Sequence, residues 1–128
     1  MHDIGNCVNR TDHAHSGAIL AYNILKDMGM PVEERTEIMM AIGNHDENTG
    51  TAISDISAAL ILADKSDVHR NRVTNTNLST FDIHDRVNYA VTNAELELNA
   101  EERKVILNLT IDTKLCPVLD YFEIFMDR

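Results

Sequence analysis

Histidines and aspartates are the residues of this sequence best suited to chemistry. The six histidines are His2, His13, His15, His45, His69 and His84, and three of them precede an aspartate, in His2-Asp3, His45-Asp46 and His84-Asp85. Histidine is the commonest metal ligand and carries protons near neutral pH, and aspartate supplies an oxygen ligand. These residues favour a mixed nitrogen and oxygen metal site. No Ser-His-Asp or Cys-His pattern indicates a protein nucleophile.

Asp64 interrupts an apolar helical pattern, Leu60-Ile61-Leu62-Ala63-Asp64-Lys65. A buried carboxylate is costly unless it is paired with a cation or binds a metal. Two interpretations of Asp64 therefore stay open. It is either a metal-binding carboxylate or a solvent-facing residue near a helix end, loosely paired with a cation such as Lys65.

Four short motifs follow one another at helix-sized gaps in the first half of the chain. They are His2-Asp3-Ile4-Gly5, His13 with Gly17-Ala18, Ile42 with His45, and Leu62-Ala63-Asp64. In this order they resemble the HD superfamily of metal-dependent phosphohydrolases. The resemblance implies a mainly α fold, an HD-type helical bundle whose helix ends and inner faces meet around a metal site.

The resemblance also implies a ligand set and a reaction. His2, Asp3 and Asp64 match the family's metal ligands, with Asp3 bridging, and His13 and His45 stand where two-metal members add histidines. The expected cofactor is one or two divalent transition-metal ions, and such ligands do not select among Mn, Fe, Zn, Ni and Co. The expected reaction is attack of a metal-activated hydroxide on a small phosphate ester or anhydride, with a nucleotide as the expected substrate.

The sequence departs from the family pattern at two points. The family's first histidine has no counterpart before His2, so we expect a truncated member that lacks its first helices and binds metal less tightly. Many relatives carry lysine shortly after the His-Asp pair, where this chain has Gly5-Asn6-Cys7. Lys65 is the expected replacement, a catalytic residue alongside Asp3. Its alternatives are Arg10, Arg70 and Arg72.

The missing lysine favours a second hypothesis, in which an HD-like domain binds metal or nucleotide as a sensory module without turnover. A third is a helical interaction domain whose histidines are incidental.

The remaining candidates are interpreted structurally. Residues two apart do not share a helix face, so only one of His13 and His15 is expected to face the site. The resemblance favours His13, whose spacing to Gly17 fits the family better. Asp46 is either an outer base of the site or a solvated loop residue, and His69 and His84 are expected on the surface. Cys7 is either a thiol near the site that oxidises or binds metal, or a buried, inert thiol, and the second interpretation is preferred.

Apolar spacing predicts helices over residues 16–28, 32–43 and 54–68. The alternation of Val87, Tyr89 and Val91, and that of residues 105–111, predict a β-hairpin with its turn at residues 99–102. Pro117 opens a final helix. We therefore expect an HD-domain core over residues 1–86, followed over 87–128 by a hairpin and the start of a C-terminal helix. This second part would cover the site or form the face of a homodimer.

Composition narrows the partners. The net charge of −10 and pI near 4.8 argue against long nucleic acid and anionic membrane surfaces as partners. A small phosphorylated substrate stays compatible, because a bound metal reverses the local field. The sequence has no run of 18 apolar residues to span a membrane. Its two cysteines, Cys7 and Cys116, form no CxxC pattern and favour a cytoplasmic protein.

Overall fold

The structure, a computed structural model, describes residues 1–46 and 49–125. This part of the chain is mainly α-helical with one antiparallel hairpin, as predicted, while the HD-type arrangement of the helices stays a prediction. The helices and strands are α1 (His13–Asp27), α2 (Val32–Gly43), α3 (Asp55–Ser66), α4 (Ile83–Ala90), β1 (Val91–Asn99), β2 (Lys104–Ile111) and α5 (Val118–Phe125). Short 3-10 segments occupy His2–Cys7, Arg70–Arg72 and Leu78–Thr80.

The chain forms two compact units, Met1–Asp64 and Lys65–Arg128. The first contains the 3-10 segment His2–Cys7, α1, α2 and most of α3. The second contains α4, the hairpin and α5. The predicted division after residue 86 separates an HD-domain core from the segment that follows it. It stays a prediction.

Helices α1 to α3 follow the predicted pattern with small changes at their ends. Helix α1 begins three residues earlier than predicted, after Asp12 adopts a left-handed conformation (φ 58°), and it is followed by Gly29 at φ 83°. Helix α2 has the predicted bounds. The hydroxyl of Ser54 accepts a hydrogen bond from the Ser57 backbone N–H, which caps the start of α3.

Apolar residues of the three helices form the core of the first unit. Ala18 and Ala21 of α1 pack with Ile42 of α2, and the partly buried residues Ile38, Met39 and Leu60 surround them. The alanines allow α1 and α2 to lie close together because they add little volume between the helix axes. This packing holds the end of α2 beside α1.

Two glycines let the 3-10 segment His2–Cys7 lie directly against α1. A Cβ atom on Gly5 would overlap the backbone oxygen of His13 and lie 2.6 Å from the Gly17 nitrogen. A Cβ atom on Gly17 would lie 2.9 Å from the His2 backbone oxygen. Both distances are too short for real contacts, so only glycine permits this approach. The His2-Asp3 pair and His13 are neighbours for this reason.

The prediction that Val87 and Tyr89 belong to a strand was wrong, because both lie on α4. The Asp82 carboxylate accepts a hydrogen bond of 2.8 Å from the Asp85 backbone N–H and caps this helix. Ile83, Val87 and Ala90 then share one helix face, which packs with residues of and around α5, namely Cys116, Tyr121 and Ile124. Burial of this helical face outweighed the strand preference that the three-residue alternation indicated.

The hairpin itself was predicted correctly from Val91 onwards. Strands β1 and β2 pair antiparallel, with Leu96 opposite Leu107 and Leu98 opposite Val105, and the turn lies at residues 100–103. Arg103 completes the turn in a left-handed conformation (φ 53°). A register shift between Val91 and Asn93 marks an irregularity in β1 near its start.

Helix α1, with 15 residues, is the longest in the described part of the chain. No helix there combines the length and apolarity that crossing a bilayer requires.

Replacing Gly5 with alanine should destabilise the first unit. The added methyl group would have to displace the α1 backbone, and overpacking of this kind costs about 1–3 kcal/mol. Urea unfolding of the Gly5→Ala variant checks the loss. Gly43→Ala is the matched control, because a Cβ there meets only Ala18 Cβ at an ordinary 3.6 Å. Equal stabilities of the two variants would contradict the close approach.

The two cysteines should differ in reactivity. Burial raises the pKa of the Cys116 thiol, and its hydrogen bond to Asp120 Oδ2 (3.4 Å) raises it further. Cys7 is exposed, so the expectation that it is buried was wrong. A thiol reagent at mildly alkaline pH should label Cys7 rapidly and Cys116 only after unfolding, because the thiolate is the reactive form. Labelling of the Cys7→Ser and Cys116→Ser variants, followed by mass spectrometry, measures each rate separately.

Candidate metal centre

His45 is the most buried side chain of the candidate site, with 2% of its surface exposed. It follows α2, and its Nδ1–H donates to the backbone oxygen of Ile42 at 2.6 Å. A carbonyl oxygen only accepts hydrogen bonds, so this contact assigns the proton to Nδ1 in the neutral ring. The Nε2 lone pair then points away from α2, 3.6 Å from Asp3 Oδ1.

His13, in the first turn of α1, is held in the same way. Its Nδ1–H donates to the Arg10 backbone oxygen at 3.1 Å, and its Nε2 lies 3.4 Å from Asp3 Oδ1. The carboxylate of Asp46 lies behind the ring, with Oδ2 3.6 Å from Nδ1. A backbone carbonyl or carboxylate on the far nitrogen is the usual way in which a protein orients a metal-binding histidine.

Asp3 directs its two carboxylate oxygens at different histidines. Oδ1 faces His13 and His45, whereas Oδ2 lies 3.4 Å from His2 Nε2. The side chain is 46% exposed, so solvent reaches it. The Asp3 carboxylate thus lies between the His2 Nε2 atom on one side and the Nε2 atoms of His13 and His45 on the other.

Asp64 faces His2 and is largely shielded from solvent. Its Oδ1 lies 3.3 Å from His2 Nε2, and the side chain is only 13% exposed. The His2 Nε2 atom is buried and has no hydrogen-bond partner among the described residues, so its contacts with Asp3 and Asp64 lack hydrogen-bond geometry. A buried nitrogen without a partner is costly, and a metal ion would satisfy it.

These residues form two groups whose ligand atoms lie close enough to hold a metal ion: His2, His45 and Asp64, and Asp3, His13 and His45. The nitrogen–oxygen separations given above run from 3.3 to 3.6 Å. Two atoms bound at about 2.1 Å to a shared tetrahedral ion lie about 3.4 Å apart. The spacing therefore fits ligands of a common cation better than it fits hydrogen-bonded pairs, whose mode is about 2.9 Å.

His45 belongs to both groups but can serve only one ion at a time. Its Nδ1 carries a proton, which leaves a single lone pair on Nε2. Asp3 has two oxygens directed at different histidines and has no such limit. Of the residues at the centre of the cluster, Asp3 is the one whose orientation suits a bridging ligand.

The five predicted metal ligands are thus brought together, and their role as ligands stays a prediction. His15 lies outside the cluster, as predicted: its side chain is 57% exposed and 3.7 Å from Asp12. Lys65 follows Asp64 on α3 and is half-buried. It belongs to the second compact unit, and its contact with phosphate stays a prediction.

Sequence reasoning gave Asp46 too little weight and did not anticipate the structural role of His69. Asp46 stands behind His13 and is only 20% exposed, and its position next to His45 in a His-Asp pair was the available indication. His69 is half-buried and was expected on the surface. Its Nε2 donates to the Thr92 backbone oxygen and its Nδ1 accepts from Asn71 N–H, so it has a structural role in the second unit.

Comparison with known proteins adds no relative. No protein-family model, no curated protein and no solved structure matches this chain significantly.

Divalent transition metal should stabilise the folded chain through this cluster. A ligand present at one hundred times its Kd adds about 2.7 kcal/mol to the free energy of unfolding, which appears as a rise in Tm of several degrees. His2→Ala should abolish the rise measured with Zn²⁺ or Mn²⁺, since it removes a nitrogen shared between two carboxylates. The matched control is His15→Ala, because His15 is an exposed residue of α1 that lies outside the cluster. This variant should keep the metal-dependent rise in Tm. An equal Tm shift in both variants would show that the metal binds elsewhere.

Proposed function

We propose that this chain binds one or two divalent transition-metal ions in the His-Asp cluster and hydrolyses a small phosphate ester or anhydride. A nucleotide is the proposed substrate class. The proposal combines the resemblance to the HD superfamily with the geometry of the five residues that carry it. It also places the protein in the cytoplasm, in keeping with its free cysteines.

The observation that carries the proposal is the placement of Asp3. Its two oxygens face His2 on one side and the pair His13 and His45 on the other, at 3.4 to 3.6 Å. Asp64 completes the first side through its contact with His2. Nitrogen and carboxylate oxygen atoms converge here at separations longer than those of hydrogen bonds, and this arrangement is more stable with a cation or protons among them. A pair of metal ions bridged by Asp3 would meet this requirement.

The bound metal would supply Lewis-acid activation of water and neutralisation of phosphoryl oxygens. The chain's own residues position that chemistry. Ile42 and Arg10 hold the rings of His45 and His13 through their backbone oxygens, which fixes the direction of each Nε2 lone pair before any ligand arrives. Lys65 is the proposed cation for the phosphate.

Access and charge define the substrate. Asp3 is nearly half exposed while His45 is buried, so a substrate would approach the cluster from the side of Asp3. The chain carries a net charge of −10 and lacks the basic field that collects long nucleic acid. A small phosphorylated molecule attracted by locally bound metal is the partner that fits both observations.

A sensory module that binds metal or nucleotide without turnover is the second candidate. The sequence favours it at one point, because Gly5, Asn6 and Cys7 follow the His-Asp pair where many HD relatives carry lysine. Such a module would keep the cluster but lack a cation to hold phosphate. Stabilisation by a nucleotide without release of product would favour this candidate.

Hydrolysis should depend on Asp3. In the full native chain loaded with Mn²⁺, release of phosphate or nucleoside monophosphate from a nucleotide panel should fall in Asp3→Asn by more than about 100-fold, the upper end of the loss seen for residues that only orient metal ligands. Asparagine keeps the shape but cannot bridge two cations as a charged carboxylate does.

Asp12→Asn serves as the control for this variant. Asp12 has 69% of its side chain exposed and lies 3.7 Å from His15, which is outside the cluster. Asparagine also tolerates the left-handed backbone at this position. Activity should remain near that of the unmodified chain. Undiminished turnover in Asp3→Asn, or none in the metal-loaded native chain, would rule out the hydrolase.

A further inference from the structure

Strand β2 is an open sheet edge in the second unit. In the described part of the chain the sheet consists of two strands, β1 and β2, so each strand there has a neighbour on one side alone. Among the described residues, no backbone hydrogen bond joins residues 104–110 to any strand other than β1. An isolated two-stranded hairpin is marginally stable in water. A further strand at either edge would therefore stabilise it.

Strand β2 also lacks the features that usually protect an edge from pairing. Proteins protect exposed edges with proline, bulges or charged side chains. The eight residues of β2 include neither proline nor an acidic residue, although 21 of the chain's 128 residues are Asp or Glu. Its one charge, Lys104, lies at the end of the strand and pairs with Glu102 at 2.7 Å. The register shift occurs on β1 instead.

One face of the hairpin is apolar and partly open. Ala94, Leu96 and Leu98 of β1 lie opposite Leu109, Leu107 and Val105 of β2, respectively. Leu98 is 71% exposed and Val105 is 52% exposed, so the face is most open toward the turn. Strands added at the β2 edge would extend this apolar face and pack new side chains beside Val105 and Leu109.

The charges select a second copy of β2 as the strand that fits. In antiparallel pairing about Leu107, Val105 of one copy lies opposite Leu109 of the other, and Ile106 lies opposite Asn108, so no like charges face each other. The same operation on β1, about Leu96, would place Glu95 opposite Glu97 of the second copy. In these two registers, self-pairing of β2 brings no like charges together, whereas self-pairing of β1 brings glutamates together.

We propose that two copies of this chain associate through the outer edges of their β2 strands and form a four-stranded antiparallel sheet with two-fold symmetry. The backbone groups of each β2 edge would pair with those of the other, and Leu107 would lie at the axis. This inference concerns the second unit and does not depend on the proposed hydrolase.

The test compares the mass in solution of the native chain with that of a variant that carries two added charges beside the proposed axis. The native chain should have twice its chain mass of 14.4 kDa in light scattering after size exclusion. In the double variant Ile106→Lys/Asn108→Lys, each new lysine faces a glutamate of its own β1, Glu97 or Glu95. The hairpin is retained, while lysine faces lysine across the axis. This variant should have the single chain mass.

The matched control carries only one of the two lysines. In Ile106→Lys alone, the new lysine still faces Glu97 of its own β1 but meets Asn108 of the other copy across the axis, so no like charges meet and the doubled mass should be kept. Hydrogen exchange should show protection of β2 amides in the native chain and this control, and lose it in the double variant. A native chain with the single mass at every concentration, or a double variant that keeps the doubled mass, would overturn the proposal.

Discussion

Convergence of lone pairs on one small volume is the constraint on which the first unit depends. Nitrogen atoms of His2, His13 and His45 face carboxylate oxygens of Asp3 and Asp64 at 3.3 to 3.6 Å. Acceptors brought together in a partly buried place destabilise a fold unless positive charge lies among them. The cluster therefore costs folding free energy unless a cation or protons are bound there, and the separations match those of ligands around a cation.

Backbone contacts create this convergence. Gly5 and Gly17 allow the 3-10 segment to approach α1, and small residues between α1 and α2 place His45 beside it. The carbonyl oxygens of Ile42 and Arg10 then orient two of the rings. The polypeptide makes all of these contacts without a ligand. The rings of His45 and His13 are therefore preorganised, and a ligand would not need to order them first.

In the second unit, helix α4 is well packed whereas the hairpin is partly open. Helix α4 buries Val87 and Ala90 against Cys116, whereas the hairpin beyond it exposes leucines and an unprotected strand edge. Natural sheets rarely leave such an edge without a reason. Packing within α4 and α5 and the proposed association at β2 would thus be separate sources of stability in this unit.

The sequence by itself determined the helices α1 to α3, the second strand and the identity of the five clustered residues, because apolar periodicity and His-Asp motifs are local patterns. It misassigned Val87 and Tyr89, since three alternating residues fit a strand until the Asp82 cap and the packed face of α4 are known. The tertiary structure alone decided that Asp64 faces His2, that Asp46 stands behind His13, and that Asp3 divides its oxygens between two sets of nitrogens. Those contacts join residues up to 62 positions apart in the sequence, from His2 to Asp64, which only the packing of helices around Gly5 and Gly17 brings together.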